Sequence, residues 1–238
     1  MYVVVPDTAE PSLTDKIKKL GLSVIALPNL DVDWKLITQN PSERWNSTFF
    51  KLQIFTLTQF EKIVFIDLDM IVMGNIDDLF QMPHMSGVAA GNCAHPDWTR
   101  LNSGLMVIEP NLELYHQLIA CLPDACRERL EIGAGFGDQD VINYQYKNWW
   151  DHKELVLPEI YNAVTYDYDF EVICKQYGYR NLRIIHYAEP VKPWQFSFSQ
   201  ICRVILGSIR TGNFYRAKIC SVYWNYVRKS CPDHLSYN

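Results

Sequence analysis

Two acids, Asp67 and Asp69, sit in the apolar run from Ile63 to Val72. Ile63, Val64, Phe65 and Ile66 are β-formers with no turn residue among them, so the run predicts a buried strand through Phe65-Ile66-Asp67-Leu68-Asp69-Met70-Ile71-Val72. Side chains alternate along a strand, which puts both carboxylates on the same side. Two like charges so placed repel each other, and an apolar setting penalises each one left unpaired. A divalent cation answers both demands. Acids that cap the next helix or face water are the plainer alternative.

Much later, Leu182-Arg183-Ile184-Ile185-His186 predicts a strand that ends on an imidazole, and Lys192 follows six residues on. Ligands of open α/β sheets bind at the carboxyl ends of the strands. Asp67, Asp69 and His186 share that edge if their strands are parallel. Two carboxylates and an imidazole suit a hard-to-borderline ion such as Mn²⁺ that keeps positions open for substrate oxygens. Lys192 could supply a point charge for a phosphate. On these residues alone the best reading is a metal-assisted transferase acting on a nucleotide diphosphate. For His186 by itself, a core histidine at a strand end is the simpler account.

The elements that must position these groups alternate between strand and helix. Strands are expected at residues 2–5, 24–27, 87–90, 103–108 and 154–157, besides the two above. Helices are expected at 12–20, 45–60, 112–121, from 138 onward, and at 170–177. Short strand-helix-strand spacing of this kind predicts an α/β sheet. Asp77 and Asp78 read as first-turn acids of a short helix, favoured by its dipole.

The 238 residues are 48% hydrophobic and 21% charged, enough for one sizeable core or at most two small ones. A net charge of -5 argues against a general nucleic-acid binder. Seven cysteines with no Cys-x-x-Cys pair argue against a disulfide framework or a zinc site, and fit a reducing, cytoplasmic setting. No secretory leader and no apolar window of membrane-spanning length is visible. Charge is unevenly spread. Residues 195–238 hold six bases and one acid, while the remainder holds 16 bases and 26 acids. The sign changes just after Pro193-Trp194, which divides a main domain, 1–194, from a basic-aromatic helical tail, 195–238. That tail reads either as an interfacial anchor facing anionic lipid or as closing helices packed on an acidic body.

The chain resembles the glycogenin-like members of glycosyltransferase family 8 over roughly residues 45–194. The residues that carry the resemblance are Lys51-Leu52, Leu57-Thr58-Gln59-Phe60-Glu61-Lys62 running into Phe65-Ile66-Asp67-Leu68-Asp69, and Asn75-Ile76-Asp77-Asp78-Leu79-Phe80. Leu101-Asn102-Ser103-Gly104-Leu105-Met106-Val107, Gly137-Asp138-Gln139, Leu157-Pro158-Glu159-Ile160-Tyr161-Asn162, and His186 with Lys192-Pro193-Trp194 continue it. The resemblance implies an A-type glycosyltransferase (GT-A, Rossmann-like) α/β fold with a mostly parallel central sheet. It implies transfer of a hexose from a UDP-sugar, with retention of anomeric configuration, to a glycan, lipid or protein hydroxyl; UDP-glucose is the first expectation and UDP-galactose the second. Asp67, Asp69 and His186 match the residues that hold Mn²⁺ (or Mg²⁺) on the donor pyrophosphate, and Lys192 the phosphate-contacting lysine. Lys51 matches a donor-binding base, Asn102 and Ser103 the donor-sugar contacts, and Asp138 and Gln139 the pair beside the reacting anomeric carbon.

Departures from the family pattern are also legible. The usual first strand-helix unit, which shapes much of the nucleoside pocket, has no counterpart before Tyr2. Glu189 stands where a glycine often follows the metal histidine, and Gly135 where glycogenin has an acid. Tyr166 and Tyr168 fall in the segment of glycogenin's self-glucosylated tyrosine, although an aromatic surface loop accounts for them as well. A nucleotidyltransferase is the rival enzyme, but the Gly-rich phosphate loop it would bring near Tyr2 to Pro11 is missing. A catalytically weak sugar-nucleotide or glycan-binding relative is the non-enzyme rival, and the intact Asp67, Asp69, Asp138 and His186 speak against it.

Overall fold

A computed structural model describes residues 1–30, 32, 43–212 and 214–230, except for the side chains at 43–46 and 227–230. The chain divides into two compact units, Met1–Ile63 with Val107–Asp151, and Val64–Met106 with His152–Asn238.

In the first unit, β1 (Tyr2–Pro6) and β2 (Ser23–Leu27) pair in parallel across the helix α1 (Pro11–Lys19). Pro11 suits the first turn of α1, where its missing N–H costs nothing, and Lys16, Lys18 and Lys19 meet the negative end of the helix dipole. Gly21 follows at φ 78°, a left-handed turn that glycine adopts without strain. Residues Glu43–Thr56 form a 3₁₀ helix rather than the α-helix expected over 45–60. Thr48, Ile54 and Thr56 are β-branched, and Phe49, Phe50 and Phe55 are aromatic, all weak helix formers. Burial holds the segment in place: Phe49, Leu52 and Phe55 are fully enclosed, and the Phe49 and Phe136 rings lie 5.1 Å apart. α2 (Leu112–Ala120) starts where Asn111 Oδ1 accepts from Leu114 N–H at 3.0 Å. α3 (Leu122–Glu131), not expected from the sequence, follows at once with Pro123 in its first turn, and α4 is Asp138–Gln145. Leu118, Leu122, Ala125, Cys126, Val141 and Ile142 are the enclosed apolar residues of these helices.

The second unit holds strands from two sheets. β3 (Ile63–Ile66), β6 (Asn102–Ile108) and β5 (Gly87–Val88) lie in the order β3-β6-β5, and the boundary between units falls within β3 and β6. β4 (Met70–Val72), β8 (Ile184–His186) and β7 (Ala163–Val164) lie in the order β4-β8-β7. The α/β class holds, but pairing is more mixed than a mostly parallel sheet: β7–β8 is parallel, whereas β4–β8 and β5–β6 are antiparallel. Residues 154–157 give a 3₁₀ turn, Lys153–Leu155, and a single bridge from Val156 to Gly87 in place of the expected strand.

α5 (Asp167–Tyr177) stops at Gly178, whose φ of 78° ends the helix. α5, β8 and the last helix, α7 (Tyr215–Ser230), bury one core of Phe170, Ile173, Ile185, Tyr187, Ile219 and Val222. The Tyr187 hydroxyl donates to the Ile219 carbonyl at 3.0 Å and ties α7 to that core. Between β8 and α7 lies α6 (Phe198–Thr211), capped by Ser197. No described helix is long and apolar enough to cross a membrane, and the six described cysteines are free thiols.

Candidate active site

The expected continuous strand through Asp67 and Asp69 is two strands with a turn between them. β3 ends at Ile66; Asp67 N–H still donates to Gly104 O on β6 at 2.9 Å, and Met70 N–H then closes back on Asp67 O at 3.3 Å. Leu68 at the turn is 89% exposed, so an apolar residue inside the run does not mark a buried strand position. The turn delivers the two acids to His186 by a different route from the expected parallel edge. β4 runs antiparallel to β8 with Met70 opposite His186, so the start of β4 meets the end of β8. Tyr187 N–H donates to Asp69 O at 2.9 Å and locks that corner.

One ligand atom from each of Asp67, Asp69 and His186 falls within 4.8 Å of the others. His186 is buried, with Nε2 3.4 Å from Asp69 Oδ1. Its other nitrogen, Nδ1, lies 2.9 Å from Asn162 Oδ1. Asn162 Nδ2 in turn donates to Asn102 Oδ1 at 2.9 Å, and Asn102 Oδ1 also accepts from Gly104 N–H at 3.0 Å. The Asn162 carbonyl therefore keeps the proton of a neutral His186 ring on Nδ1 and turns the Nε2 lone pair toward the acids. Gly104 makes room for this: a Cβ there would stand 2.8 Å from His186 Cε1 and 2.6 Å from Met70 Cε. Two carboxylates, an imidazole fixed by a partner, and mutual spacing of this kind fit a divalent ion of the Mn²⁺ or Mg²⁺ type.

Lys192 joins the same cluster. Its Nζ is 2.7 Å from Asp69 Oδ2 and also donates to the Tyr187 carbonyl. Burial pushes the Asp69 carboxyl up, but the hydrogen bonds and charges of His186 and Lys192 outweigh it and hold the group well below the usual carboxylate range. Glu189, three residues after His186, is half-buried, and burial raises its carboxyl despite Arg216 and Lys192 nearby.

In the first unit, Lys51 and Asp138 form an ion pair at 3.0 Å with side chains only 11% and 6% exposed. Asp138 opens α4, and its N–H donates to Thr48 Oγ1 at 3.2 Å. Asp140 steadies that turn: its Oδ2 accepts from Gly137 N–H at 2.9 Å, and its Oδ1 pairs with Arg129 Nε at 3.0 Å. Gln139 follows Asp138 in the first turn of α4, and Ser103 lies buried in β6 beside Asn102. Tyr168 is 63% exposed in the first turn of α5, and Tyr166 immediately precedes the helix.

The structure thus brings Asp67, Asp69, His186, Lys192 and Asn102 together in one unit, and Lys51 and Asp138 in the other. Asn162 is the residue that the spacing argument missed as a participant. Its signal was its place at the end of Pro158-Glu159-Ile160-Tyr161-Asn162, and full burial is what separates it from a loop asparagine.

Comparison with known proteins agrees with this geometry. The profile of glycosyl transferase family 8 matches residues 1–197. The chain is 40% identical to glycogenin-1 of Caenorhabditis elegans over 191 residues, covering 79% of this chain and 38% of that protein. It is 28% identical to human glycogenin-1 over 225 residues, covering 91% of this chain and 61% of that protein. Among solved structures, the glycosyltransferase GlyE of Streptococcus pneumoniae aligns with a TM-score of 0.52 at 22% identity, over 82% of this chain and 49% of its own. The galactosyltransferase LgtC, in complex with donor and acceptor sugar analogs, aligns with a TM-score of 0.50 at 14% identity, over 84% and 75%. The fold is that of the A-type glycosyltransferases. The chain belongs to glycosyltransferase family 8 and is glycogenin-like, and it spans about four-tenths to six-tenths of the length of these two glycogenins.

Proposed function

We propose that this chain moves a hexose from a UDP-sugar to a hydroxyl of a glycan, lipid or protein, with retention of anomeric configuration. UDP-glucose is the first donor and UDP-galactose the second. The observation that carries the proposal is the Asp67, Asp69 and His186 cluster with Asn162 behind the imidazole and Lys192 beside the carboxylate. Asp67, Asp69 and His186 Nε2 are the groups to hold Mn²⁺, which supplies Lewis-acid stabilisation to the diphosphate oxygens when bound.

Lys192 is the mobile cation of the site. Its four-carbon stem lets Nζ leave Asp69 for a phosphate oxygen and meet the charge that grows on departing UDP. Asn102 spends its carbonyl on Asn162 and Gly104, which leaves its amide N–H groups for a donor-sugar hydroxyl, with Ser103 next to it. Asp138 and Gln139 are assigned to the sugar at the reacting carbon, on the family pattern. Lys51 orients Asp138 through the 3.0 Å pair. The domain division is part of the same proposal: residues 1–194 carry the reaction, and the basic-aromatic segment 195–238 follows them, with its helix α7 packed into the second unit's core.

The test is incubation with a panel of UDP-sugars and Mn²⁺, reading free UDP, with Asp69→Ala as control. UDP release with one donor, lost in Asp69→Ala, is the expected result. No turnover with any donor, together with no Mn²⁺-dependent UDP binding, overturns the proposal.

A further inference from the structure

α6 is packed inside out. Its one fully buried residue is Ser208, 4% exposed, whereas Phe198 is 81%, Leu206 64% and Ile209 63% exposed. Phe198, Cys202, Ile205, Leu206 and Ile209 recur at helical spacing and form a single stripe along the helix, with Cys202 half-buried and the rest exposed. Water penalises such a stripe in proportion to its apolar area, and large contiguous patches of this kind mark a binding surface.

Charge says what covers it. Arg203 and Arg210, each about one turn from Leu206 and both exposed, border it along one edge. Residues 195–230 contain six bases and no acid, although Arg216 at the start of α7 is paired with Asp167 at 3.2 Å and Lys218 lies over the Tyr179 ring, so Arg203 and Arg210 are the bases that flank the stripe itself. Facing bases disfavour a second copy of this surface, because mating would bring like charges together. A layer that is apolar within and anionic at its surface complements both features at once: the stripe enters the acyl boundary, and the bases stay at headgroup level.

We propose that α6 is an interfacial helix that docks this protein on an anionic lipid surface through Phe198, Ile205, Leu206 and Ile209, with Arg203 and Arg210 on headgroup phosphates. α7, by contrast, is committed to the protein core through Ile219 and Val222. The tail is therefore neither a wholly packed pair of helices nor a wholly free anchor; the two roles are divided between its helices. This docking is independent of the transfer reaction.

The experiment is flotation of the full chain with phosphatidylcholine vesicles, with and without phosphatidylserine, alongside sedimentation velocity without lipid. The protein is expected to float only with phosphatidylserine present, and less as salt screens the bases. Leu206→Glu with Ile209→Glu is expected to weaken binding at least about tenfold, and Arg203→Glu with Arg210→Glu likewise. Both variants should retain the wild-type circular dichroism spectrum, and Leu206→Gln with Ile209→Gln replaces the first pair if it does not fold. Absence of flotation on phosphatidylserine vesicles overturns the proposal. So does equal flotation of the folded Leu206 and Ile209 variant, and so does a lipid-independent dimer that this variant dissolves.

Discussion

Lys192 Nζ stands 2.7 Å from Asp69 Oδ2, so one carboxylate of the candidate metal cluster is already neutralised from within the chain. Under the proposed function, the lysine and a divalent ion would compete for that oxygen, and a donor phosphate would free the carboxylate by attracting the lysine. Lys192→Gln is therefore expected to separate two affinities that would otherwise move together. Mn²⁺ alone should bind more tightly, since a competing cation is gone. UDP in the presence of Mn²⁺ should bind about tenfold more weakly, the loss of one charge-assisted hydrogen bond. Manganese titration followed by electron paramagnetic resonance, and calorimetry with UDP, measure the two. Parallel weakening of both would show that Lys192 supports the metal rather than competing with it.

Asn162 gives the second prediction, and it concerns a residue with no place in the metal's immediate ligand set. Its carbonyl orders His186 and its amide is held by Asn102, so the imidazole is aimed through two asparagines. Loss of such a supporting partner lowers metal affinity by about 10–100-fold. Asn162→Ala is expected to fall in that range while leaving Mn²⁺ binding measurable, whereas His186→Ala should remove it. Asn162→Asp, which preserves an acceptor for Nδ1, should recover part of the loss. Equal metal affinity in wild type and Asn162→Ala would remove the positioning role.

Parts of this site were readable before any coordinates. Acids in a run of Ile, Val and Phe are expensive unless something pays for them, and a histidine ending an apolar strand points the same way. The α/β class followed from alternating elements such as Tyr2–Pro6, Pro11–Lys19 and Ser23–Leu27. The turn at Asp67-Leu68-Asp69 was hidden because its two aspartates, which favour turns, sit between apolar runs that read as one strand, and its exposed Leu68 mimics a strand residue. The antiparallel approach of β4 to β8 depends on pairing between residues more than a hundred positions apart, which local periodicity does not encode. Asn162 and the inverted face of α6 share a cause. Both are defined by burial that contradicts residue type, a polar side chain enclosed and apolar ones exposed, and composition predicts the reverse.

The Lys51–Asp138 pair carries the third prediction. Both side chains are nearly enclosed, so removal of Lys51 takes the cation away from the Asp138 carboxylate in a poorly solvated place. Lys51→Met is expected to destabilise the fold by about 3–5 kcal/mol, the range for one partner lost from a buried pair. Lys51→Met with Asp138→Asn should recover much of that, because no charge is then stranded, while UDP release stays low. Urea denaturation of the two variants and wild type measures the difference. A double variant no more stable than Lys51→Met would mean that the pair is not the source of the loss.

Glu159 supplies a pH dependence with a definite sign. It is buried, and its Oε1 accepts from Cys93 N–H at 2.6 Å. Burial pushes its carboxyl up and the nearby Asp169 carboxylate adds to that, against the lowering hydrogen bonds from Cys93 and Gly91; the net position is above its ordinary 4.5. The folded protein therefore keeps this proton after the unfolded chain has released it. Between 4.5 and the raised folded value the unfolded state binds fewer protons, so stability falls as pH rises through that window and levels off above it. Glu159→Gln has no proton to lose and keeps an amide oxygen for Cys93 N–H. Its stability relative to wild type is thus expected to improve from pH 4.5 through that window and then hold level, which urea midpoints across the window will read. Curves for the two proteins that run parallel over the whole range would place the Glu159 carboxyl at its ordinary value in the fold.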